Sequence, residues 1–136
     1  MSEDEGFLRW FESTWREAEV ALHDGTAGAR DGTWSTREPV TLFGAWLNAT
    51  SSAEAQAVFR RLEGSFSNAV GAEVSLVAHG VSGDLAYTAH REHTRTSVNG
   101  EPREYTLRVT QVYRCEDGAW KVVHRHADND PTEAGP

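Results

Sequence analysis

Two histidines near the end of the chain, in His124-Arg125-His126, have side chains that can take part in chemistry, and Asp128 follows them. A histidine exchanges a proton near neutral pH, so it can act as a general acid or base. A carboxylate can orient its ring, and a fixed cation can bind a carboxylate or stabilise a developing enolate. Two such imidazoles can also begin a metal site, but a metal needs at least one more converging ligand. We therefore expect acid–base chemistry without a metal or another cofactor.

The turn that precedes this motif predicts which residues it faces. Residues 116–118 (Glu-Asp-Gly) separate two runs of alternating polar and apolar residues, which is typical of a β-hairpin. A three-residue loop with glycine in the left-handed conformation places Thr110 opposite His124 and Arg108 opposite His126. Paired side chains share a face of the sheet. The sequence thus predicts His126 and Arg108 as catalytic residues, with His124 and Thr110 beside them as substrate-binding residues.

The two faces of this hairpin differ in polarity. The face that carries His124 and His126 is apolar near the turn and polar toward Arg108, as expected for the floor of a pocket. The opposite face is more evenly apolar, which favours a homodimer interface on the outer side of the sheet. Its residues are Leu107, Val109, Tyr113 and Val123. A slip of one residue in the register would exchange the two faces.

The preceding strand has two registers open to it. A two-residue turn at Asn99-Gly100 puts Arg91 and His93 on the pocket face. A longer loop or a bulge instead turns the other side of the strand inward, and Glu92 then lies beside Arg108. We favour this second register, because a buried guanidinium needs a carboxylate partner, whereas two arginines on a buried face would repel. The residues that accompany Glu92 on this face are Thr88 and His90.

Helical patterns fill the first half of the chain and strand patterns the second. An amphipathic first helix is indicated by the helical spacing of positions 7, 11, 14, 18 and 22. A short helical turn follows before Gly32, and Ser51 with Glu54 has the spacing of a capping box that begins a second long helix. From Gly71 onward the period changes to two, which predicts four successive strands. Helices followed by a meander indicate an α+β domain, in which a curved antiparallel sheet wraps over the helices as a cone around a cavity.

Three aromatic residues are candidates for the apolar wall of this cavity. Phe43 and Trp46 lie in a β-branched and aromatic run after Pro39, which is read as a strand or buried loop, and Tyr87 lies on the second predicted strand. Together with Glu92 they complete the predicted substrate-binding set.

Length and charge limit the class of protein. The 136 residues fit a single domain over positions 1–136, with a core at about 7–128 and flexible tails at 1–5 and 129–136. The net charge of −8 argues against a nucleic acid partner, because phosphate contacts need a basic patch. No apolar run is long enough for a membrane span, and no secretion signal is visible, so we expect a cytoplasmic protein. The single cysteine, Cys115, is interpreted as a turn residue.

Four segments of the sequence resemble a known family. VTLFGAW, GDLAYT, YTLRVTQVYR and EDGAWKVVHRHAD are similar to the SnoaL-like branch of the nuclear transport factor 2-like superfamily, over residues 7–128. The resemblance implies a cone-shaped α+β fold (a cystatin-like α+β barrel), a pocket inside the cone, and commonly a homodimer through the sheet. Its members include steroid isomerases, polyketide cyclases, epoxide hydrolases, dehydratases and proteins without an assigned activity. The residues that it carries over as pocket lining are Arg108, Thr110, His124 and His126.

Three functional hypotheses follow. The first is a cofactor-independent isomerase, cyclase or hydrolase in which His126 acts with Arg108 on a small apolar or ring-containing molecule. The second is a non-catalytic protein that binds such a molecule, and the third is a dimeric accessory or assembly domain. The fold alone does not decide among them.

Overall fold

The computed structural model describes residues 3–131, and its elements follow the predicted order. The helical part consists of α1 Glu3–Trp10, a π-helical turn Phe11–Trp15, α2 Arg16–His23, α3 Gly28–Thr33 and α4 Ser52–Ser65. The strands are β1 Thr41–Phe43, β2 Asn48–Ala49, β3 Phe66–Ser82, β4 Leu85–Val98, β5 Glu101–Glu116 and β6 Ala119–Asn129. The predicted first helix, short helical turn, second long helix and four long strands are confirmed.

The ends of the described chain belong partly to regular structure. Residues 3–5, which the sequence placed in a tail, begin α1, and Asn129 ends β6. Asp130 and Pro131 follow β6 without regular structure, and residues 1–2 and 132–136 lie outside the described residues.

The π-helical turn changes which side chains of the first helical segment reach the core. Regular helical spacing predicts Thr14 on the buried face, but Thr14 is exposed and Trp15 is fully buried. A π-helical turn contains more residues than an α-helical turn, so the next inward position moves forward along the chain. The rings of Phe11 and Trp15 stack with their centroids 4.6 Å apart.

The start of α4 follows the predicted capping box with one difference. The Ser51 hydroxyl accepts the backbone N–H of Glu54 at 3.1 Å. The Glu54 carboxylate in turn accepts the backbone N–H of Thr50, at 2.9 Å, rather than that of Ser51. One face of α4 buries Phe59, whose ring meets that of Trp34 edge to face at 5.1 Å.

A single curved sheet of six strands covers the helices, in the order β2-β1-β6-β5-β4-β3. β3 to β6 form an antiparallel meander, and β1 extends it in parallel with β6. The inner face of the sheet packs on the helices and forms the core, while the outer face points away from the helices. Large core residues are Phe7, Phe11, Trp15, Leu22, Phe59 and Tyr113.

The turn between β5 and β6 is shorter than predicted. Asp117 and Gly118 have φ angles of 52° and 82°, as a two-residue hairpin turn with left-handed residues requires. Glu116 therefore pairs with Ala119, and the predicted three-residue loop is wrong. Only glycine adopts this φ without a steric penalty, so Gly118 suits the second turn position.

A β-bulge beyond the turn displaces the register again. It lies in the pairing between Val112 and Tyr113, after which Arg108 pairs with Asp128 and Thr110 with His126. The predicted pairing of Arg108 with His126 is wrong by two residues. A bulge inserts an extra residue that local turn chemistry does not encode.

The assignment of the two sheet faces is also exchanged. The predicted dimer surface is buried within the subunit, so the proposal that it forms an outer interface is wrong. Its residues Leu107, Val109 and Tyr113 lie on the inner face, and Val123 is buried at the bulge. The helices cover the evenly apolar face because it offers more apolar area for burial, and the face with the polar gradient is left to solvent.

The register of β4 is the alternative that we did not favour. Asn99 and Gly100 form a two-residue turn, with φ angles of 51° and 82°, and Val98 pairs with Glu101. Arg91 consequently pairs with Arg108 on the outer face. Glu92 lies inside the cone as expected, but it does so on the face opposite to Arg108.

Candidate functional site

Most of the predicted site residues lie on the outer face of the sheet rather than inside the cone. They are Phe43, Tyr87, Arg108, Thr110, His124 and His126. Arg108, Thr110 and His126 line one open groove of about 380 Å³. In this groove Arg108 donates to both carboxylate oxygens of Asp128, at 2.9 and 2.6 Å. This interaction holds the pKa of Asp128 below its usual value and occupies the cation that was expected to face His126.

The two histidines of the motif contact an aromatic ring near one edge of the sheet. Phe43 meets His124 and His126 edge to face, with ring centroids 5.6 and 5.9 Å apart. Nδ1 of His124 is 2.7 Å from the hydroxyl of Thr41, and partial burial together with the nearby His126 lowers the pKa of His124. Within residues 3–131, no three His, Cys, Asp or Glu side chains are grouped in a way that could hold a metal ion.

The inner face carries a buried ion pair that the sequence interpretation did not identify. Arg125 donates through both terminal nitrogens to the two oxygens of Glu92, at 2.8 and 2.7 Å. Its Nη1 also donates to the side-chain oxygen of Gln111 at 2.8 Å. Burial on its own raises the pKa of Glu92, but the charge and hydrogen bonds of Arg125 outweigh it and bring that pKa well below the usual value. Both groups of this pair therefore stay charged inside the cone.

Hydrogen bonds continue from this pair into a closed ring. Because the Gln111 oxygen accepts from the arginine, its nitrogen donates to the Tyr113 hydroxyl, at 2.5 Å. The hydroxyls of Tyr113 and Thr88 are 2.7 Å apart, and Thr88 is 3.1 Å from Nδ1 of His90. Nε2 of His90 reaches the Glu92 carboxylate at 2.9 Å. These contacts form one consistent chain of hydrogen bonds if Tyr113 donates to Thr88, Thr88 donates to Nδ1 of His90, and Nε2 of His90 donates to Glu92.

We call these six residues the inner ring: Thr88, His90, Glu92, Gln111, Tyr113 and Arg125. Burial raises the pKa of Tyr113, so its hydroxyl keeps the proton that this arrangement requires. His90 packs edge to face against the stacked rings of Phe11 and Trp15, at centroid distances of 5.4 and 5.2 Å. The π-helical turn that brings Trp15 inward thus also fixes the position of His90.

A second buried ion pair lies next to the inner ring. Arg30 donates to both oxygens of Glu19, and it also lies over the Phe59 ring at 5.0 Å. His23 donates from Nδ1 to the backbone oxygen of Glu19 at 2.7 Å, an assignment that fits the neutral ring because burial lowers the pKa of His23. Glu19 is also 3.9 Å from Arg125. The two acidic and two basic side chains therefore balance each other in the interior.

Two neighbouring spaces at one end of the cone share part of their walls. The first, the mouth chamber, has a volume of about 440 Å³ and lies between the β1–β2 loop, the end of α4 and the start of β5. The second, the inner cavity, holds about 50 Å³ and reaches His23, Arg30 and Arg125. The residues common to both walls are Trp46, Leu47, Leu62, Phe66 and Tyr105.

Two aromatic residues lie on the wall that these spaces share. Trp46, the predicted wall residue, is 57% exposed and meets the Tyr105 ring edge to face at 5.3 Å. Burial raises the pKa of Tyr105, so its hydroxyl remains protonated. Within the described part of the chain, this buried hydroxyl has no hydrogen-bond partner of normal geometry. Among the predicted site residues, the structure places Trp46 at the mouth and Glu92 in the inner ring.

Comparison with known proteins agrees with this architecture. The family model for the SnoaL-like domain matches residues 50–127, which is more than half of the chain. The chain belongs to the SnoaL-like domain family. The match begins just before α4, and the helices that fill the cone precede it. None of the curated proteins compared matches the sequence.

Solved structures extend the likeness of this SnoaL-like domain to nearly the whole chain. A ketosteroid isomerase-like protein from Erwinia carotovora atroseptica is 13% identical, with a TM-score of 0.75 over 97% of this chain and 100% of its own. An NTF2-like protein from Cytophaga hutchinsonii is 12% identical, with a TM-score of 0.73 over 96% and 100%. An NTF2-like protein of unknown function in nutrient uptake, from Rhodospirillum rubrum, is 19% identical, with a TM-score of 0.71 over 91% and 98%. At these identities the likeness establishes the nuclear transport factor 2-like fold.

Sequence reasoning missed the inner ring of this SnoaL-like domain, although one signal pointed to it. In the predicted hairpin, Arg125 and Gln111 share the evenly apolar face with Leu107 and Val109, where a charge requires a partner. Glu92 lies on the alternate positions of β4 that continue this face, and it is the matching carboxylate. Glu19 and Arg30, which lie on different helices, gave no comparable signal.

Among residues 3–131, no helix is both long and apolar enough to cross a membrane.

Proposed function

We propose that this SnoaL-like domain binds a small apolar or ring-containing molecule in the mouth chamber. The observation that carries the proposal is a chamber of about 440 Å³, open to solvent and lined by Trp46, Leu47, Leu62, Phe66 and Tyr105. Small-molecule sites usually measure about 300–1,000 Å³ and have mainly apolar walls with few polar groups. The exposed ring of Trp46 offers a flat surface that a bound ring can cover.

The charged groups behind the chamber are already paired with each other, so this inner wall favours an uncharged part of a ligand. Arg125 and Arg30 are each held by both oxygens of a carboxylate, Glu92 and Glu19 respectively. A ligand group that displaced either carboxylate would leave a buried charge without a partner, which costs several kcal/mol, about 3–5. The apolar part of a ligand meets no such penalty.

Ligand screening tests the proposal. A panel of aromatic and alicyclic compounds is added to the protein, and binding is followed by thermal shift and by tryptophan fluorescence. We expect Trp46→Ala to weaken the binding of any hit about tenfold, because a covered aromatic ring contributes about 1.5–3 kcal/mol. Tyr87→Ala, which removes an exposed aromatic residue on the outer face, is the matched control. Equal effects of the two substitutions would contradict binding in the mouth chamber.

Acid–base catalysis by His126 with Arg108 is our second proposal, now for the outer-face groove. It is supported by the presence of His126, Arg108 and Thr110 on one wall of that groove. Isomerisation, cyclisation or hydrolysis without a cofactor would each begin with proton transfer. The test incubates cyclic ketones with the protein in deuterium oxide and follows exchange at the carbon next to the carbonyl by NMR. We expect His126→Gln to abolish such exchange, and equal exchange in both proteins would contradict the proposal.

We also propose that the protein forms a homodimer, through a surface other than the one first predicted. The support is a set of large apolar side chains exposed on the sheet, namely Phe43, Val77, Leu85 and Tyr87. Sedimentation velocity at micromolar concentration measures the mass, and we expect Tyr87→Glu to shift it toward the monomer. A monomeric wild-type protein would contradict the dimer and, with it, a dimeric accessory role.

A further inference from the structure

Among the described residues, one charged side chain of the mouth chamber has no partner. Arg61 lies on the last turns of α4 and lines the chamber together with Arg103 and Glu104. Arg103 donates to Glu101 at 2.9 Å, and Glu104 is 2.6 Å from Nε2 of His93. Within residues 3–131, the Arg61 guanidinium forms neither an ion pair nor a hydrogen bond. Its five N–H donors are thus available to a ligand.

The uncharged part of the chamber wall is mainly apolar. Leu62 and Phe66 lie on the same side of the chamber, and Trp46 with Val98 completes much of the wall. Ser65, the other polar residue of α4 that lines the chamber, donates its hydroxyl to the backbone oxygen of Arg61, at 3.1 Å. The chamber is therefore amphipathic, with the unpaired cation of Arg61 beside an apolar surface.

The position of this cation sets the orientation of a ligand. The guanidinium groups deeper in the cone, those of Arg30 and Arg125, are each held by both oxygens of a carboxylate, so they have no place for another anion. Leu62 and Phe66 line both the mouth chamber and the inner cavity. A negatively charged head would consequently stay at Arg61, and an apolar tail would point toward the inner cavity.

We propose that the ligand is a small amphiphilic carboxylate, an aryl or acyl acid, whose carboxylate pairs with Arg61 while its ring or chain lies against Trp46. This inference rests on the proposed binding function. Arginine matches a carboxylate with two parallel N–H donors, a geometry that a neutral amide cannot use fully. With a net charge of −8, the protein repels anions elsewhere, so the pairing would also select the site.

Calorimetry with naphthoate and its neutral analogue naphthamide tests the charge preference. We expect the wild-type protein to bind naphthoate more tightly, and Arg61→Gln to weaken naphthoate about tenfold, the lower end for hydrogen bonds to charged groups. Naphthamide affinity should not change in this variant. Arg61→Lys should keep part of the preference, because it preserves the charge but not the planar pair of donors. Arg9→Gln removes an exposed arginine from α1 and is the control that should leave both affinities unchanged.

The outcomes separate this inference from the function on which it rests. If both compounds bind equally, and Trp46→Ala weakens their binding but Arg61→Gln does not, the chamber binds ligands but the carboxylate preference is wrong. If neither compound binds at millimolar concentration, both the inference and binding of ring compounds in the chamber are overturned. If naphthoate binding falls in Arg61→Gln but not in Arg9→Gln, and added salt weakens it in the wild type, the inference is supported.

Discussion

Two arginine–carboxylate pairs, each with two hydrogen bonds, lie on opposite faces of this sheet. Arg125 and Glu92 pair on the inner face, with side chains about 6% exposed, and Arg108 and Asp128 pair on the outer face, with side chains 48% and 50% exposed. Both arginines donate to two carboxylate oxygens. The residue types are thus nearly identical, and the environments differ completely.

This difference determines what each pair contributes. In water, the ions of an exposed pair lose little when they separate, so such pairs contribute about 0–1 kcal/mol. Inside a protein, neither ion can be hydrated, and removal of one leaves the other uncompensated. The inner pair is also part of the inner ring, so its loss would leave further donors unsatisfied. The helices cover the inner pair and leave the outer pair in water. For this reason the inner pair contributes to stability and the outer pair contributes little, although their residue types are alike.

Substitution of Glu92 should have the largest effect. Glu92→Gln leaves the buried Arg125 with only the Glu19 carboxylate, which it shares with Arg30, and we expect the free energy of unfolding to fall by about 3–5 kcal/mol. Urea denaturation measures this loss. The matched change on the outer face, Asp128→Asn, should cost less than about 1 kcal/mol. Similar losses for the two variants would mean that the inner pair is accessible to water.

A double substitution sharpens the same test. Glu92→Leu with Arg125→Leu removes both charges, so the variant should recover much of the stability lost in Glu92→Gln. Some loss should remain, because Gln111 and His90 each keep a polar atom that pointed at the removed pair. A double variant that is less stable than Glu92→Gln would indicate that shape, rather than charge balance, dominates here.

Loss of one hydroxyl from the inner ring should have an intermediate effect. Tyr113→Phe removes the group that accepts from Gln111 and contacts Thr88, so one buried donor loses its acceptor. We expect a loss of about 1–3 kcal/mol in urea denaturation. Tyr87→Phe, on the exposed outer face, should be close to neutral. Equal stability of both variants would contradict a continuous ring.

The inner groups should also make stability depend on pH in two windows. The folded-state pKa of His23 is below the ordinary 6.5, because burial disfavours its charged form. The unfolded chain therefore binds the extra proton first, and stability present above pH 6.5 is lost as pH falls below that value. The folded-state pKa of Glu92 lies well below its ordinary 4.5, so a further loss follows as pH falls below 4.5.

Urea denaturation as a function of pH checks both windows. The half-buried His124, whose pKa is also lowered, adds a smaller contribution of the same sign to the upper window. We expect His23→Gln to reduce the fall in the upper window and leave the lower window unchanged. Stability that rises between neutral and mildly acidic pH would contradict the assignment of His23 as a neutral buried residue.

The features that could be predicted from the sequence are those that depend on local patterns. The α4 cap at Ser51 and the existence of the four long strands depend on local patterns, so they were predictable. The pairing of Arg108 depends on a bulge at Val112, and the inward position of Trp15 depends on a π-helical turn. Neither has a local signal in the sequence.

The predicted site residues also differ in whether a local pattern indicates their position. Trp46 could be predicted as a wall residue because it lies in an aromatic run next to the sheet. His126 was assigned to the interior because its face of the hairpin changes from apolar to polar residues. A strand that faces solvent shows the same change near its end. The evenly apolar face that contains Arg125 was the stronger indicator of the interior, because buried area, rather than polar variety, decides which face the helices cover.

The smallest effects should come from the outer pair itself. Arg108→Ala removes a half-exposed ion pair, so we expect a change of about 0–1 kcal/mol in the free energy of unfolding, reduced further by added salt. Arg91→Ala, which removes the neighbouring exposed pair with Asp130, should behave alike. If Arg108→Ala instead abolished proton exchange with ketones while stability stayed unchanged, the residue would be kept for chemistry in the groove rather than for the fold. A large loss of stability in Arg108→Ala alone would mean that the outer face is covered in solution, as it would be in a homodimer.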